Sequence, residues 1–197
     1  MLREGFTLME LIIVLVIASI LTISIFPHLQ RDPMYEVLKQ VKRHVMLTQH
    51  MAMVNDVYDA KKSKWFKAMW RISFRTKNCY VVSSNIDLDT NYDREESALD
   101  PMNKTLLYSN NKCELESTDN KSMFLYEEFN IDKIEFSKSC GSNRFIAFDN
   151  LGRPHKTLTK LNDYLKSDCI ITFYSLTQKG EIIITQETGY VTSKILI

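Results

Sequence analysis

The sequence predicts an α+β protein in which one long amino-terminal helix packs on an antiparallel β-sheet. Three observations support this fold class. The chain opens with an apolar run from Phe6 to Phe26, an amphipathic helical pattern follows up to residue 56, and the remainder contains short runs in which apolar and polar side chains alternate. Because an amphipathic helix must bury its apolar stripe against another element, the alternating runs are expected to form the sheet that covers it.

The apolar run is the first element of the chain. A helix over these residues would be about 30 Å long, enough to cross a bilayer. Its one charged residue is Glu10, and an unpaired carboxylate inside a membrane costs roughly 2.5 kcal/mol or more. We therefore expect a transmembrane helix over residues 6–27 and a specific partner for Glu10. Arg3 favours a cytoplasmic amino terminus, which would place the carboxyl-terminal domain across the membrane, in a periplasm-like space.

The second element is predicted as an amphipathic continuation of the same helix over residues 28–56. Pro27 and Pro33 bracket its start, where proline bends a helix axis. Apolar or small residues then recur at spacings of three and four, which places them in one stripe of a helix. The stripe residues are Met34, Leu38, Val41, Val45, Thr48 and Ala52.

Residues 57–197 are predicted to form a β-rich head domain. Alternation of apolar and polar residues indicates a strand at 70–75. Further strands are predicted at 80–86, 133–137, 143–148, 170–174, 180–185 and 190–195, with a short strand near 106–108. Gln178, Lys179 and Gly180 favour a hairpin turn between the two strands around them. Residues 87–121 are polar and are interpreted as a long loop.

Composition limits the functional classes. The chain has 197 residues, 45% of them hydrophobic and 11% aromatic, which indicates a packed core. Once Arg3, Glu4 and Glu10 are set aside, residues 27–197 contain 24 Lys and Arg residues and 22 Asp and Glu residues. This near-neutral balance gives no electrostatic argument for binding nucleic acid or an anionic surface.

The four cysteines are Cys79, Cys113, Cys140 and Cys169. They form no C-x-x-C pair and no zinc-type cluster. In an oxidising compartment they could form two disulfides with three connectivities. The pairs Cys79–Cys113 and Cys140–Cys169 are favoured because each would flank a hairpin or loop, and four buried thiols are the alternative.

The amino-terminal residues carry a family resemblance. Gly5, Phe6, Thr7, Leu8, Met9 and Glu10, followed by the apolar run, resemble the class III signal of type IV pilins and type II secretion pseudopilins. The resemblance implies that a prepilin peptidase removes residues 1–5 by cleaving between Gly5 and Phe6, and that Phe6 is then N-methylated. It also implies that Glu10 meets the free amine of a neighbouring subunit during filament assembly. An ordinary membrane anchor with a chance glutamate near its end is the alternative.

Two motifs in the second half of the chain narrow this resemblance. Residues 148–154, Phe-Asp-Asn-Leu-Gly-Arg-Pro, look like the strand-to-turn element of GspH/FimT-type minor pseudopilins, and residues 180–191 resemble the closing hairpin of that family. Both motifs also fit a plain glycine-bearing turn and a plain hairpin. The long polar stretch and the four cysteines depart from the family pattern and leave the middle of the sheet undefined.

The resemblance implies a minor pseudopilin or minor pilin of a type II secretion pseudopilus or a type IV pilus-like filament, with no enzymatic activity and no cofactor. Its implied partners are the prepilin peptidase, other pilin or pseudopilin subunits, the membrane and the inner-membrane assembly platform. The implied localisation is that of a single-pass protein of the bacterial inner membrane with a periplasmic carboxyl-terminal domain. The alternative is a DNA-binding minor pilin of a natural-transformation (competence) system. DNA contacts would then involve Arg153, Lys156 and Lys194, although several cations are normally needed to bind phosphates.

The sequence lacks the common motifs of catalytic and metal sites. The sequence contains no Gly-x-Ser-x-Gly, no phosphate-binding Gly-rich loop and no His-Glu-x-x-His. His44 and His50 would lie on different faces of one helix, so the histidines, including His28 and His155, are interpreted as solvated surface residues.

One acidic segment is a weak calcium candidate. Asp87, Asp89, Asn91 and Asp93 place oxygen donors at alternate positions, as calcium prefers. However, Tyr92 occupies the position that an EF-hand gives to glycine, and Ala98 occupies the position of its bidentate glutamate. We therefore predict no metal site, and a solvated acidic loop is the simpler interpretation.

Overall fold

A computed structural model describes residues 7–25, 32–89 and 93–196 of the chain. The chain divides into two compact units, residues 1–32 and residues 33–197. The first unit contains helix α1, Leu8–Ile25. The second contains helix α2 (Pro33–Val54), a short helix α3 (Leu125–Phe129) and the β-strands.

The prediction of one long amino-terminal helix is wrong. Helices α1 and α2 are separate elements of separate units. Helix α2 begins at Pro33, because proline lacks an N–H group and fits the first turn of a helix but not its interior.

The predicted membrane span also requires correction. Helix α1 has 18 residues and is therefore about 27 Å long, slightly less than the roughly 30 Å of a bilayer's hydrocarbon core. In the described part of the chain, no helix combines the length and apolarity that crossing a bilayer requires. The transmembrane helix over residues 6–27 and the single-pass inner-membrane localisation are corrected accordingly.

The strands form two antiparallel sheets, not the single sheet of the prediction. The first sheet contains β1 (Arg71–Phe74), β2 (Tyr80–Ser83), β4 (Phe145–Phe148) and β5 (Pro154–His155) in the order β2-β1-β4-β5. The second contains β3 (Lys133–Phe136), β6 (Cys169–Tyr174), β7 (Lys179–Ile184) and β8 (Val191–Leu196) in the order β3-β6-β7-β8.

Helix α2 supplies the apolar stripe that joins the two sheets into one core. All six residues of the predicted stripe are buried, and Val37 and His44 are buried beside them. The main core combines α2 with apolar residues of both sheets, including Ile72 of β1 and Ile182 of β7. At Gly180 the strand approaches the helix so closely that an added Cβ would lie 2.7 Å from side-chain atoms of Leu38 and Met34.

A second, smaller apolar cluster positions the segment between α2 and β1. Phe145 and Ala147 of β4 pack with Met69 and Leu158, and Val57, Trp65 and Phe66 pack against this cluster. All four residues of β4 are therefore buried, with Ile146 and Phe148 in the main core. Residues 57–69 consequently cover one face of the first sheet, and this anchors the short 3₁₀ helix Trp65–Ala68.

Candidate functional sites

The first turn of α1 holds Glu10 through hydrogen bonds within the chain. The backbone N–H and the hydroxyl of Thr7 donate to one carboxylate oxygen of Glu10 at 2.8 and 2.9 Å, and the backbone N–H of Glu10 donates to the Thr7 hydroxyl at 3.3 Å. This reciprocal pattern is a capping box, which satisfies N–H groups that the start of a helix leaves without intrahelical partners. The predicted processing residues, Gly5 and Phe6, lie outside the described residues.

The capping box gives Glu10 a local role that the sequence analysis did not consider. A carboxylate in the first turn also complements the positive end of the helix dipole. Glutamine can occupy the same position of a capping box but carries no charge. The local role and the predicted pairing with a neighbour's amine are therefore separable by substitution.

Helix α1 exposes apolar side chains on every side. From Leu8 to Leu21 all of its large apolar residues are exposed, ranging from 47% for Ile12 to 75% for Leu8. A helix that is apolar all round is stable only when something covers it, and contiguous apolar surface of this kind marks an interaction site.

The four cysteines form two disulfides, Cys79–Cys113 and Cys140–Cys169, which are the pairs that the sequence favours. Cys79 directly precedes β2, so its bond ties the polar stretch to the first sheet. Cys140 ends the 3₁₀ helix after β3, so its bond ties this turn to the start of β6. Both bonds are placed to stabilise the fold, and no cysteine is free.

Asp149 organises the turn of the motif at residues 148–154. Its Oδ1 accepts the backbone N–H groups of Leu151 and Arg153 at 3.0 and 2.9 Å. Its Oδ2 accepts Arg153 Nε at 2.8 Å and lies 3.4 Å from His155 Nε2. Burial opposes ionisation of Asp149, but the hydrogen bonds from His155, Arg153 and Leu151 outweigh it and lower the pKa of Asp149 to about 2. The acidic residue of this motif therefore holds the turn in shape.

The two motifs that resemble the pseudopilin family meet at one side chain of α2. Gln49 Nε2 donates to the carbonyl of Gly152 at 2.8 Å and to the carbonyl of Thr188 at 2.9 Å. Gln49 is not one of the six residues of the predicted stripe, and no role was predicted for it. The two hydrogen bonds of Gln49 connect the carboxyl-terminal part of α2 to the turn after β4 and to the turn before β8.

The three cations suggested for DNA contact do not form an unpaired basic surface. Arg153 Nε pairs with Asp149 at 2.8 Å, and Lys194 Nζ pairs with Glu181 at 3.1 Å. Lys156 is half-buried. Because an ion pair within the chain reduces the charge left for a phosphate, DNA binding stays an untested prediction.

Three carboxylates of the acidic segment lie close together on the surface. Carboxylate oxygens of Asp87, Asp89 and Asp93 lie within 4.8 Å of one another, and all three residues are exposed. Partial desolvation and the neighbouring carboxylates of Asp89 and Asp87 raise the pKa of Asp93. Asn91 lies outside the described residues. Exposed acidic groups are common without an ion, so calcium binding stays a weak prediction.

A buried polar contact between α2 and β2 escaped the sequence analysis. His44 Nδ1 lies 2.6 Å from the hydroxyl of Tyr80, and Gln40 Nε2 donates to the same hydroxyl at 3.0 Å. The interpretation of the histidines as solvated surface residues is wrong for His44 and His155, which are at most 1% exposed. The position of His44, three residues after Val41 and four before Thr48, places it on the buried stripe and could have revealed this.

We interpret the contact between His44 and Tyr80 as structural, because neither side chain titrates near neutral pH. Burial and the nearby charge of Arg43 lower the pKa of His44 to about 4, against the opposing effect of Asp100. Burial also raises the pKa of Tyr80 well above its usual range. A general acid or base needs a pKa near the working pH, so this pair does not form a catalytic site.

Two pockets that the sequence analysis did not identify share Asp56, Tyr58 and Trp65 in their walls. The larger has a volume of about 380 Å³ and extends past Lys62. The smaller has a volume of about 330 Å³ and extends to Arg153 and Tyr164. We call them the aromatic pockets.

Comparisons with protein-family models, with characterised proteins and with solved structures find no match for this chain. The pilin-type resemblance therefore rests on the residues quoted above, and it enters below as a proposal.

Proposed function

We propose that the protein is an assembly subunit of the minor pilin or pseudopilin type, processed between Gly5 and Phe6 and incorporated into a filament through α1. The observation that carries this proposal is α1 itself, an 18-residue helix whose described apolar side chains are exposed on all sides. Equivalent helices of neighbouring subunits would cover this surface and remove it from water, at about 25 cal/mol for each Å² buried.

Glu10 gives the assembly its specificity in this proposal. Cleavage after Gly5 would leave a new amino terminus on Phe6, four residues before Glu10. The amine of one subunit would then bind the carboxylate of the next, and this pairing would favour one stagger between α1 helices. The capping box is compatible with such pairing, because a carboxylate has lone pairs on both oxygens and the Thr7 hydrogen bonds engage one of them.

The proposal is tested with two substitutions in the tagged full-length chain produced in its own host. Glu10→Gln keeps the capping box and removes the charge, whereas Thr7→Ala removes the cap hydroxyl and keeps the charge. We expect Glu10→Gln to abolish recovery of the chain in the sedimenting filament fraction, and Thr7→Ala to be recovered there. Immunoblots of total cell protein control for equal accumulation.

Mass spectrometry of the mature chain provides an independent readout. We expect it to begin at Phe6 with one methyl group on the amine. A chain that still begins at Met1, or filament incorporation of Glu10→Gln at the wild-type level, would contradict the proposal.

A further inference from the structure

The aromatic pockets combine stacking surfaces with hydrogen-bonding groups. The rings of Tyr58 and Trp65 lie 5.1 Å apart at 79°, so they form two walls nearly at right angles. Tyr58 is 59% exposed, which leaves ring surface free for a ligand. Their volumes of about 380 and 330 Å³ fall in the range of ligand-binding pockets.

The walls are held in place before any ligand arrives. Trp65 packs on the apolar cluster that covers β4, and its ring lies 6.4 Å from that of Phe66. The backbone N–H of Tyr58 donates to Asp56 Oδ1 at 2.9 Å. On the far side of the smaller pocket, the guanidinium of Arg153 lies 4.4 Å from the ring centre of Tyr164, and its Nε is bound to Asp149. Such preorganisation reduces the entropy cost of binding.

The charges in the pocket walls select the ligand. The larger pocket has two carboxylates, Asp56 and Asp59, and one cation, Lys62. The smaller has Asp56 and Asp149 with Arg153 as its one cation. A polymer of phosphates would meet one more negative than positive group in each pocket, which opposes its binding. The exposed residues Lys61, Lys64 and Lys67 are close in sequence but line neither pocket.

We propose that the aromatic pockets bind a neutral oligosaccharide. The C–H faces of a sugar ring carry partial positive charge and are attracted to the negative faces of aromatic rings, here those of Tyr58 and Trp65. Sugar hydroxyls donate to the carboxylate of Asp56 and accept from the guanidinium of Arg153. This site is independent of α1, so it adds a ligand-binding activity to the proposed assembly role.

The test is calorimetric titration of the full-length chain with cellohexaose, maltohexaose and hexa-N-acetylchitohexaose, which are all neutral, and with a single-stranded oligothymidylate at low salt. Tyr58→Ala removes an exposed ring of the pockets. Tyr126→Ala removes a ring of similar exposure, 55%, on α3 and is the matched control. Melting temperatures of both variants report whether they fold.

We expect at least one hexasaccharide to bind with an affinity that salt does not change, because a neutral ligand is not screened. Tyr58→Ala should weaken that binding by about tenfold or more, and Tyr126→Ala should leave it unchanged. Failure of all three sugars to bind, or equal binding by the two variants, would overturn the proposal. Binding of oligothymidylate alone, lost in Tyr58→Ala, would also overturn it and assign the pockets to nucleic acid.

Discussion

His44 is neutral inside the fold, and this makes the stability of the protein depend on pH. Its pKa is about 4 in the folded chain and 6.5 at its ordinary value, so between these values the unfolded chain binds more protons. Stability is therefore fully present above pH 6.5 and is lost as the pH falls towards 4. We expect the free energy of unfolding to be roughly 2 kcal/mol lower at pH 5 than at pH 7 because of this residue.

Urea unfolding of two variants at pH 5 and at pH 7 isolates the effect of His44 on the free energy of unfolding. In His44→Gln the loss between pH 7 and pH 5 should largely disappear, although its stability at pH 7 will also fall because the contact with Tyr80 changes. His50 is exposed on the same helix, so His50→Gln should keep the wild-type loss. An equal pH dependence in His44→Gln and in the wild type would show that another group is responsible.

The burial or role of a single residue could be predicted where a local sequence pattern determines it. The six stripe positions of α2 follow from their spacing, and all are buried. Glu10 was predicted to be functional because it is a charged residue in an apolar run. Its hydrogen bond from Thr7 was not predicted, because only a partner in a neighbouring subunit was considered. Tyr58 and Trp65 could not be identified, because their pockets take other walls from distant parts of the chain. The larger pocket uses Ser84, and the smaller uses Arg153 and Tyr164, about 100 residues further along the chain.

At the scale of elements, the end of α2 depends on two turns that leave no room for a side chain. Gly189 has a φ of +65°, and an added Cβ would lie 2.6 Å from Gln49 Nε2 and 2.7 Å from the carbonyl oxygen of Gly152. We expect Gly189→Ala to lower the free energy of unfolding by roughly 1–3 kcal/mol from backbone strain alone, with the steric clash adding to this. Urea unfolding of the variant measures the loss.

A double-mutant cycle separates the backbone strain of Gly189→Ala from its steric clash with Gln49. Gln49→Ala loses the bonds to Gly152 and Thr188 but removes one of the groups that the new methyl would meet. The double variant should therefore be more stable than the sum of the two single losses predicts. Strict additivity would mean that Gln49 does not contact the turn at Gly189 in solution.

Strand positions were easier to predict than strand partners. Seven of the predicted ranges contain or overlap strands, because short runs rich in apolar, β-branched and aromatic residues are a local signal. The strand β5 has only two residues, which is too short for such a signal. The division into two sheets depends on pairings such as β1 with β4, whose residues are more than 70 positions apart, and no local pattern encodes them.

At the scale of the whole molecule, the packing of the core determines which residues belong to the larger unit. The sequence analysis placed the head domain at residues 57–197, whereas the structure groups residues 33–197 in one unit. The reason is that the stripe of α2 is covered by strands such as β7 and β8, which lie far along the chain. A boundary based on the end of the helical pattern cannot take this packing into account.

The two disulfides restrain different parts of this unit and should be distinguishable. They link residues 34 and 29 positions apart, and closing loops of this length stabilises a fold by roughly 3–4 kcal/mol each. We expect Cys79→Ala with Cys113→Ala, and Cys140→Ala with Cys169→Ala, to lower the free energy of unfolding by similar amounts. Alanine is chosen because all four positions are buried and a serine hydroxyl there would lose its hydrogen bonds to water.

Limited proteolysis should then separate the two double variants. Between Cys79 and Cys113 the described residues after β2 form no further strand. They are held by the isolated bridges Ser83–Ser97 and Leu99–Leu106 and by buried Ala98 and Leu107, and the disulfide is their covalent restraint against local opening. Cleavage within residues 87–121, mapped by mass spectrometry, should accelerate in the first variant. Cys140 and Cys169 lie beside the paired strands β3 and β6, which continue to restrain that region, so the second variant should resist cleavage as the wild type does. Equal cleavage of the two variants would mean that packing of the polar stretch, and not its disulfide, holds it on the first sheet.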